Sequence, residues 1–190
     1  MSGTAGFSKN SAGEFCIELG QIERDLFINL SEQVIEILGE RKEVKDSDPL
    51  AALVGITGYD SLPEDEVLQR FLPDAYLDSG DSADFRRYTE FGLREKKGEH
   101  ALAIRSHLLE NKSDEILLSL NQAQAWLGAI NDMRLALGVR LNITDNTHEG
   151  LEALAEDDPM HGVYSVYSWL GWLQESLLLA LMQDMGGRES

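Results

Sequence analysis

The amino-acid sequence predicts a mostly α-helical domain with a minor two-stranded β ribbon. Most of the chain repeats its apolar residues at helical spacing, which places them on one face of each helix. Only residues 14–19 and 115–120 alternate apolar and polar side chains as a half-buried strand does. The chain has 190 residues, 43% of them hydrophobic, so one compact domain can bury a core without disulfides or metal.

The chain divides into three predicted regions. Residues 1–12 are small, polar and rich in glycine, and we expect them to form a flexible tail. Residues 13–185 form a single helical domain, and residues 186–190 form a frayed C-terminus.

The first elements follow from a change of period. Residues 14–19 (EFCIEL) place Phe15, Ile17 and Leu19 on one side of a strand. The spacing then becomes helical, and Gly39 ends the first helix.

The middle of the chain is interrupted by turn-forming residues. Asp48 and Pro49 have the order that begins a short helix, and a second short helix covers residues 64–72. Residues 83–111 form helix, but two internal glycines favour two helices or one bent helix.

The last third resumes with the second strand. Residues 115–120 (EILLSL) pair with the first strand, because two lone strands satisfy each other most simply. Ser119 and Gln122 have the spacing of a capping box, and Pro159 begins the last helix.

Charge limits the classes of partner. There are 34 acidic and 16 basic residues, which gives a net charge of −18. Such a surface repels a phosphate backbone, so we expect DNA to be contacted only indirectly.

Targeting signals and cysteine usage favour a cytoplasmic protein. The single cysteine, Cys16, excludes an internal disulfide. No signal peptide opens the chain, and its longest apolar run is shorter than a membrane span, so we expect no membrane contact.

Motifs for catalysis and cofactors are absent from the sequence. His100 and His107 lie seven residues apart without further ligands, and no nucleophile elbow or phosphate loop occurs. The sequence therefore predicts a non-enzyme without metal or cofactor.

A basic cluster lies in the long central helix. One stripe of this helix has spacings of three, four and three and contains Arg87, Glu90, Arg94 and Lys97. Arg86 lies beside it. Two interpretations remain open, namely ion pairs along a solvated helix face or a docking face for an acidic partner.

Residues 126–141 (WLGAINDMRLALGVRL) form an apolar helix interrupted by four polar residues: Asn131, Asp132, Arg134 and Arg140. Buried charges need partners. We expect Asp132 to pair with Arg87 or Arg94, and Arg134 with Glu90 or Glu175, in a structural network rather than a catalytic site.

The last helix is apolar on every side. Trp169, Trp172 and Leu178 lie outside its inward face, so we expect either a central helix or an oligomer interface, and the second alternative would make the protein a homodimer.

Several segments together resemble one family. They are DPLAAL (48–53), FLPDAY (71–76), FRRYTE (85–90), Leu93-Arg94 with Lys97, residues 126–141 and YSWLGWLQESL (167–177). In this order they resemble an actinobacterial family, formerly a domain of unknown function, of oxidative stress transcriptional regulators called AosR.

The resemblance implies a regulator of the response to oxidants that acts on transcription through a sigma factor or an RNA polymerase subunit. A redox sensor of this kind is expected to use a cysteine pair, whereas this chain has only Cys16. Cys16 would act through an intermolecular disulfide or a capped sulfenate, or it is a small structural residue on a strand.

Two other function classes fit the same residues. One is an adaptor or scaffold in regulated proteolysis that uses the basic helix face. The other is a small-molecule-binding helical domain with a site around Arg87, Arg94, Asp132 and Arg134.

Overall fold

The computed structural model describes residues 6–39, 63–75, 79–144 and 151–187. The helices are α1 (Gln21–Leu38), α2 (Glu66–Phe71), α3 (Ser79–Glu110), α4 (Leu120–Arg140) and α5 (Pro159–Gly187), and the strands are β1 (Ser8–Lys9), β2 (Phe15–Glu18) and β3 (Glu115–Leu118). The predicted class, mostly helical with a minor β ribbon, is confirmed. The helix predicted at Asp48 and Pro49 lies outside the described residues.

The predicted ribbon forms as β2 paired antiparallel with β3, with Phe15 opposite Leu118. Its alternation is also confirmed, because Phe15, Ile17 and Leu19 are all buried. A third strand, β1, pairs antiparallel with the other edge of β2 and places Ser8 opposite Cys16. The sequence does not predict β1, because two residues are too few to show an alternating pattern.

The N-terminal segment differs from the predicted tail from residue 6 onward. Phe7 is buried, and its backbone N–H donates to Ser176 Oγ at 3.0 Å. Lys9 Nζ lies 2.5 Å from Asp184 Oδ1 on the same helix, α5. Phe7 and Lys9 thus attach this segment to α5, while the flexibility of residues 1–12 stays a prediction. Composition identified the small polar residues but not the one aromatic side chain that attaches the segment to the core.

Helix ends follow the local sequence. Gly39 has φ of 73°, a left-handed conformation that glycine adopts without steric cost, and it ends α1 as predicted. Ser119 N–H donates to Gln122 Oε1 at 2.8 Å, and Ser119 Oγ accepts from Gln122 N–H, which confirms the capping box of α4. Pro159 begins α5, also as predicted.

Helix α3 runs without interruption from Ser79 to Glu110 despite its two glycines. A Cβ atom at either Gly92 or Gly98 would have no neighbour within 4 Å, so these glycines face open space. Packing of α3 against α1 and α4 stabilises the helix more than two glycines destabilise it.

The core centres on Trp126 of α4, which is fully buried. Its ring lies 5.6 Å from Phe27 and 6.1 Å from both Phe7 and His107, measured between centroids. One tryptophan thus joins α4 to the N-terminal segment, α1 and α3. These contacts fix the faces that α1, α3 and α4 present to one another.

Candidate functional site

The basic stripe of α3 is largely engaged inside the protein. Glu90 is 2% exposed and accepts from Arg94 Nε at 2.8 Å, while Arg86 Nη1 lies 3.6 Å from its other oxygen. Arg86 also pairs with Asp74, and Arg94 Nη1 donates to the Leu38 carbonyl at 2.6 Å. These bonds connect α3 to the end of α1 and to the segment after α2.

A second ion pair joins α3 to α4. Lys97 Nζ lies 2.5 Å from Asp132 Oδ1, and Asp132 is only 1% exposed. Burial raises the pKa of the Asp132 carboxyl above its usual range, and the hydrogen bond and positive charge of Lys97 oppose that rise. The pair therefore holds a carboxylate in a place where water cannot reach it.

His100 lies one turn farther along α3. A Cβ atom at Gly128 would stand 2.4 Å from His100 Nδ1, so this glycine allows α3 and α4 to approach closely. Burial lowers the pKa of His100, and the positive charge of Lys96 lowers it further. The contact between the two helices thus combines a buried ion pair with a close-packed neutral imidazole.

The pairs among the described side chains differ from the predicted ones, and the predicted pair of Asp132 with Arg87 lies outside the described part of the structure. Asp132 pairs with Lys97 rather than with Arg94, and Arg134 bonds to neutral groups rather than to Glu90 or Glu175. The sequence indicated which charges needed a partner, but only the rotation of α3 against α4 selects the partner.

Two predicted site arginines remain, Arg140 and Arg87. Arg140 is exposed in the last turn of α4, where its positive charge interacts favourably with the helix dipole. It was expected to be a buried charge, and it is not. Arg87 lies on α3, but its side chain lies outside the described part of the structure.

Arg134 lies between α4 and α5. Its guanidinium stacks over the Tyr167 ring at 4.8 Å and donates to Gln174 Oε1 at 2.6 Å and to the Tyr167 hydroxyl at 3.2 Å. Gln174 Nε2 in turn donates to Asn131 Oδ1 at 3.4 Å. A Cβ atom at Gly171 would lie 3.4 Å from the guanidinium carbon, which is ordinary van der Waals contact, so the guanidinium packs closely on α5.

Arg134 and Asn131 also line a groove of about 780 Å³. Its walls come from α2 and the segment after it, from the second half of α4 with residues 142–144, and from Tyr167 of α5. Four residues were predicted to surround one small-molecule site: Arg87, Arg94, Asp132 and Arg134. Of the three whose side chains are described, Arg134 lines this groove, whereas Arg94 and Asp132 do not.

Cys16 lies on the side of β2 that faces away from the core and is half-buried. Its Sγ is 3.2 Å from Ser8 Oγ on the paired strand β1. The thiol is therefore partly covered by the N-terminal segment, and its redox role stays a prediction.

The predicted interface residues of α5 separate into two groups. Trp169 packs on Phe27 with ring centroids 5.1 Å apart, so it belongs to the core rather than to an exposed face. Trp172 and Leu178 are 43% and 46% exposed, and Leu179 and Met182 extend the same side of the helix. We call these four exposed residues the α5 apolar face.

Arg24 is a buried residue that sequence analysis did not identify. It is 5% exposed, and its guanidinium donates to the carbonyls of Leu108, Asn111 and Ser113. These groups lie at the C-terminal end of α3, so Arg24 caps that helix from α1. No sequence pattern marked Arg24, because acidic residues on either side gave it the appearance of a solvated position.

Neither metal ligation nor membrane insertion finds support in the described part of the chain. Among those residues, no three His, Cys, Asp or Glu side chains cluster so that they could hold a metal ion. Within the same ranges, no helix combines the length and the apolar character needed to cross a bilayer.

Comparison with known proteins gives the family. Residues 4–181 match the family described as Domain of unknown function (DUF2017). Relatives from Mycobacterium bovis and Mycobacterium tuberculosis, both named "Oxidative stress regulator AosR", are 34% identical over 183 residues, covering 88% of this chain and 82% of theirs. A relative from Mycobacterium leprae is 35% identical over 164 residues, covering 78% of this chain and 74% of its own. No solved structure matches significantly. The chain therefore belongs to the DUF2017 family, to which the resemblance of its motifs pointed.

Proposed function

We propose that this protein is a non-enzymatic regulator of transcription in the oxidative stress response, acting through contacts with a sigma factor or an RNA polymerase subunit. The family relation supports the stress response, because the mycobacterial relatives carry the name of oxidative stress regulators. The net charge of −18 favours a protein partner over direct reading of DNA.

The α5 apolar face is the observation that carries the protein-contact part of the proposal. Four large apolar side chains, exposed by 43% to 60%, lie on one side of a single helix. Grouped apolar surface of this kind marks interaction sites more often than single exposed residues do. Glu175, also exposed, lies among them and would favour a cation on the partner.

The basic stripe of α3 is the weaker docking surface. Arg86, Arg94 and Lys97 are bound to Glu90, Asp74 and Asp132, so a partner would have to break existing ion pairs to use them. The docking surface proposed here is therefore α5 rather than α3.

The test is capture of partners from lysate of the source organism, with and without peroxide. Leu178→Glu places a charge on the α5 apolar face. Leu102→Glu on α3 is a matched control, because Leu102 and Leu178 are both 46% exposed. We expect wild type and Leu102→Glu to retain a sigma factor or polymerase subunit, and Leu178→Glu to lose it with an unchanged melting temperature.

Two further measurements separate the alternatives. Cys16→Ser should abolish any peroxide dependence if the thiol is the sensor. Light scattering of wild type and Leu178→Glu tests whether the α5 apolar face instead joins two copies of the chain. Recovery of a protease or chaperone without polymerase subunits would contradict the transcription role.

A further inference from the structure

The groove between α2, α4 and α5 has the size and lining of a small-ligand site. Its volume of about 780 Å³ falls within the range of about 300–1,000 Å³ that is typical of such sites. Leu135, Val139 and Ile143 give it an apolar wall, and Arg134, Asn131 and Tyr167 give it a polar end.

Arg134 is positively charged, and its partners among the described residues are neutral. Its two hydrogen bonds go to the Gln174 amide oxygen and the Tyr167 hydroxyl, and its buried Nε has no acceptor. Among the described residues no carboxylate lies within ion-pair distance of it. A half-buried guanidinium without a counter-charge is costly, and an anion bound there would offset that cost.

The arrangement also holds the guanidinium in place. Stacking on Tyr167 and the bond to Gln174 fix its plane, while Asn131 fixes Gln174 from the other side. A group held in this way loses little side-chain entropy when a ligand binds. Such support resembles a binding site more than a surface arginine that changes rotamer freely.

Two acidic residues line the groove, Glu66 and Asp74, but neither forms an ion pair with Arg134. Asp74 is already paired with Arg86, and Glu66 lies in the first turn of α2, where it favours that helix's N-terminus. Arg70 lies in the last turn of α2 and adds a second guanidinium to the lining. The two guanidiniums balance the two carboxylates of the lining, so the groove lacks the excess negative charge of the whole chain, which carries −18.

We infer that this groove binds a small carboxylate with an apolar body, whose carboxylate pairs with Arg134 and whose body lies along Leu135, Val139 and Ile143. The inference does not depend on the proposed regulatory function. The ligand's carboxylate can belong to a free organic acid or to an apolar peptide C-terminus, since both present the same chemistry.

The test is an NMR titration of the full chain with hexanoate and with hexanamide. The two probes share an apolar body, but only hexanoate carries a charge. We expect hexanoate to shift the backbone amides of Leu135, Val139 and Ile143 with a Kd of about 1 mM, a usual value for so small a ligand. Hexanamide should bind at least about tenfold more weakly, because it cannot form the charged hydrogen bonds. A tripeptide with an apolar last residue distinguishes a peptide C-terminus from a free organic acid as the ligand. It is compared with a free and with an amidated C-terminus.

Three variants make the assignment specific. Arg134→Gln should weaken hexanoate binding at least about tenfold. Arg105→Gln removes the same charge from an exposed pair with Glu32 and should leave binding unchanged. If Arg134→Gln does not fold, Ile143→Glu is the alternative test. Its new carboxylate would lie beside the bound hexanoate and should abolish binding.

Several outcomes would overturn the inference. These are the absence of shifts in the groove at about ten times the expected Kd, equal affinity for acid and amide, and full affinity in Arg134→Gln or Ile143→Glu. The lysate experiment uses neither hexanoate nor hexanamide. The ligand-binding inference and the proposed regulatory function can therefore fail independently of each other.

Discussion

Lys97→Met tests whether the buried ion pair between α3 and α4 governs stability. The substitution removes the ammonium group 2.5 Å from Asp132 Oδ1 but keeps a side chain of similar length. Asp132 is 1% exposed, so its carboxylate regains little water when the ammonium group is removed. Breaking a buried pair costs about 3–5 kcal/mol of unfolding free energy. We expect about 3 kcal/mol, at the lower end, because 19% of the Lys97 side chain is exposed and water can approach from that side.

The loss should also depend on pH. Burial already raises the pKa of Asp132, and without Lys97 the pKa rises further. A raised pKa means that the native state binds more protons than the unfolded state between the usual aspartate pKa and the native one. Stability therefore falls as pH rises through that window, and the variant should recover part of its loss when the pH is lowered from neutral into it.

The assay is urea unfolding followed by far-ultraviolet circular dichroism for wild type, Lys97→Met, Asp132→Asn and the double variant. The Asp132→Asn background lacks the carboxylate. Lys97→Met should therefore lower the free energy of unfolding much less in that background than in wild type. A loss below about 0.5 kcal/mol, the value of an exposed pair, would refute the reasoning. So would equal losses in both backgrounds.

Arg24→Met should cost about 2–4 kcal/mol in the same assay, because it leaves the end of α3 without its buried donors. Gly128→Ala should lower stability by about 1–3 kcal/mol, since the new Cβ would meet His100 at 2.4 Å. Gly92→Ala, in open space on α3, should instead raise stability by about 0.5–1 kcal/mol. Calorimetric shifts of the same sign in Gly128→Ala and Gly92→Ala would contradict these two expectations. Arg94→Ala should lower the melting temperature through its buried carboxylate partner without weakening partner capture by the folded protein. Lost capture at an unchanged melting temperature would reverse that assignment.

Sequence patterns predicted what depends on near neighbours in the chain. The alternation around Ile17, the glycine at the end of α1 and the capping box at Ser119 all act within a few residues, and the structure confirms them. Such signals are readable because period and capping chemistry are local properties.

Contacts between distant elements could not be predicted in the same way. Several cations lie within one or two turns of each other on α3, and the sequence contains nothing that selects Lys97 for Asp132. Arg24 serves carbonyls 84 to 89 residues away, so its burial depends on how α1 lies against α3. The groove at Arg134 likewise exists only after α2, α4 and α5 have packed.

The N-terminal segment has a consequence for the order of folding. Phe7 and Lys9 bind residues 169 and 175 positions farther along the chain, on the last helix. Closing so long a loop is entropically costly, so these contacts form late. On the ribosome the segment emerges before α5 is synthesised, so Phe7 lacks part of its binding site until then. Chains that stall before α5 should therefore bind chaperones through this exposed segment, while complete chains release them.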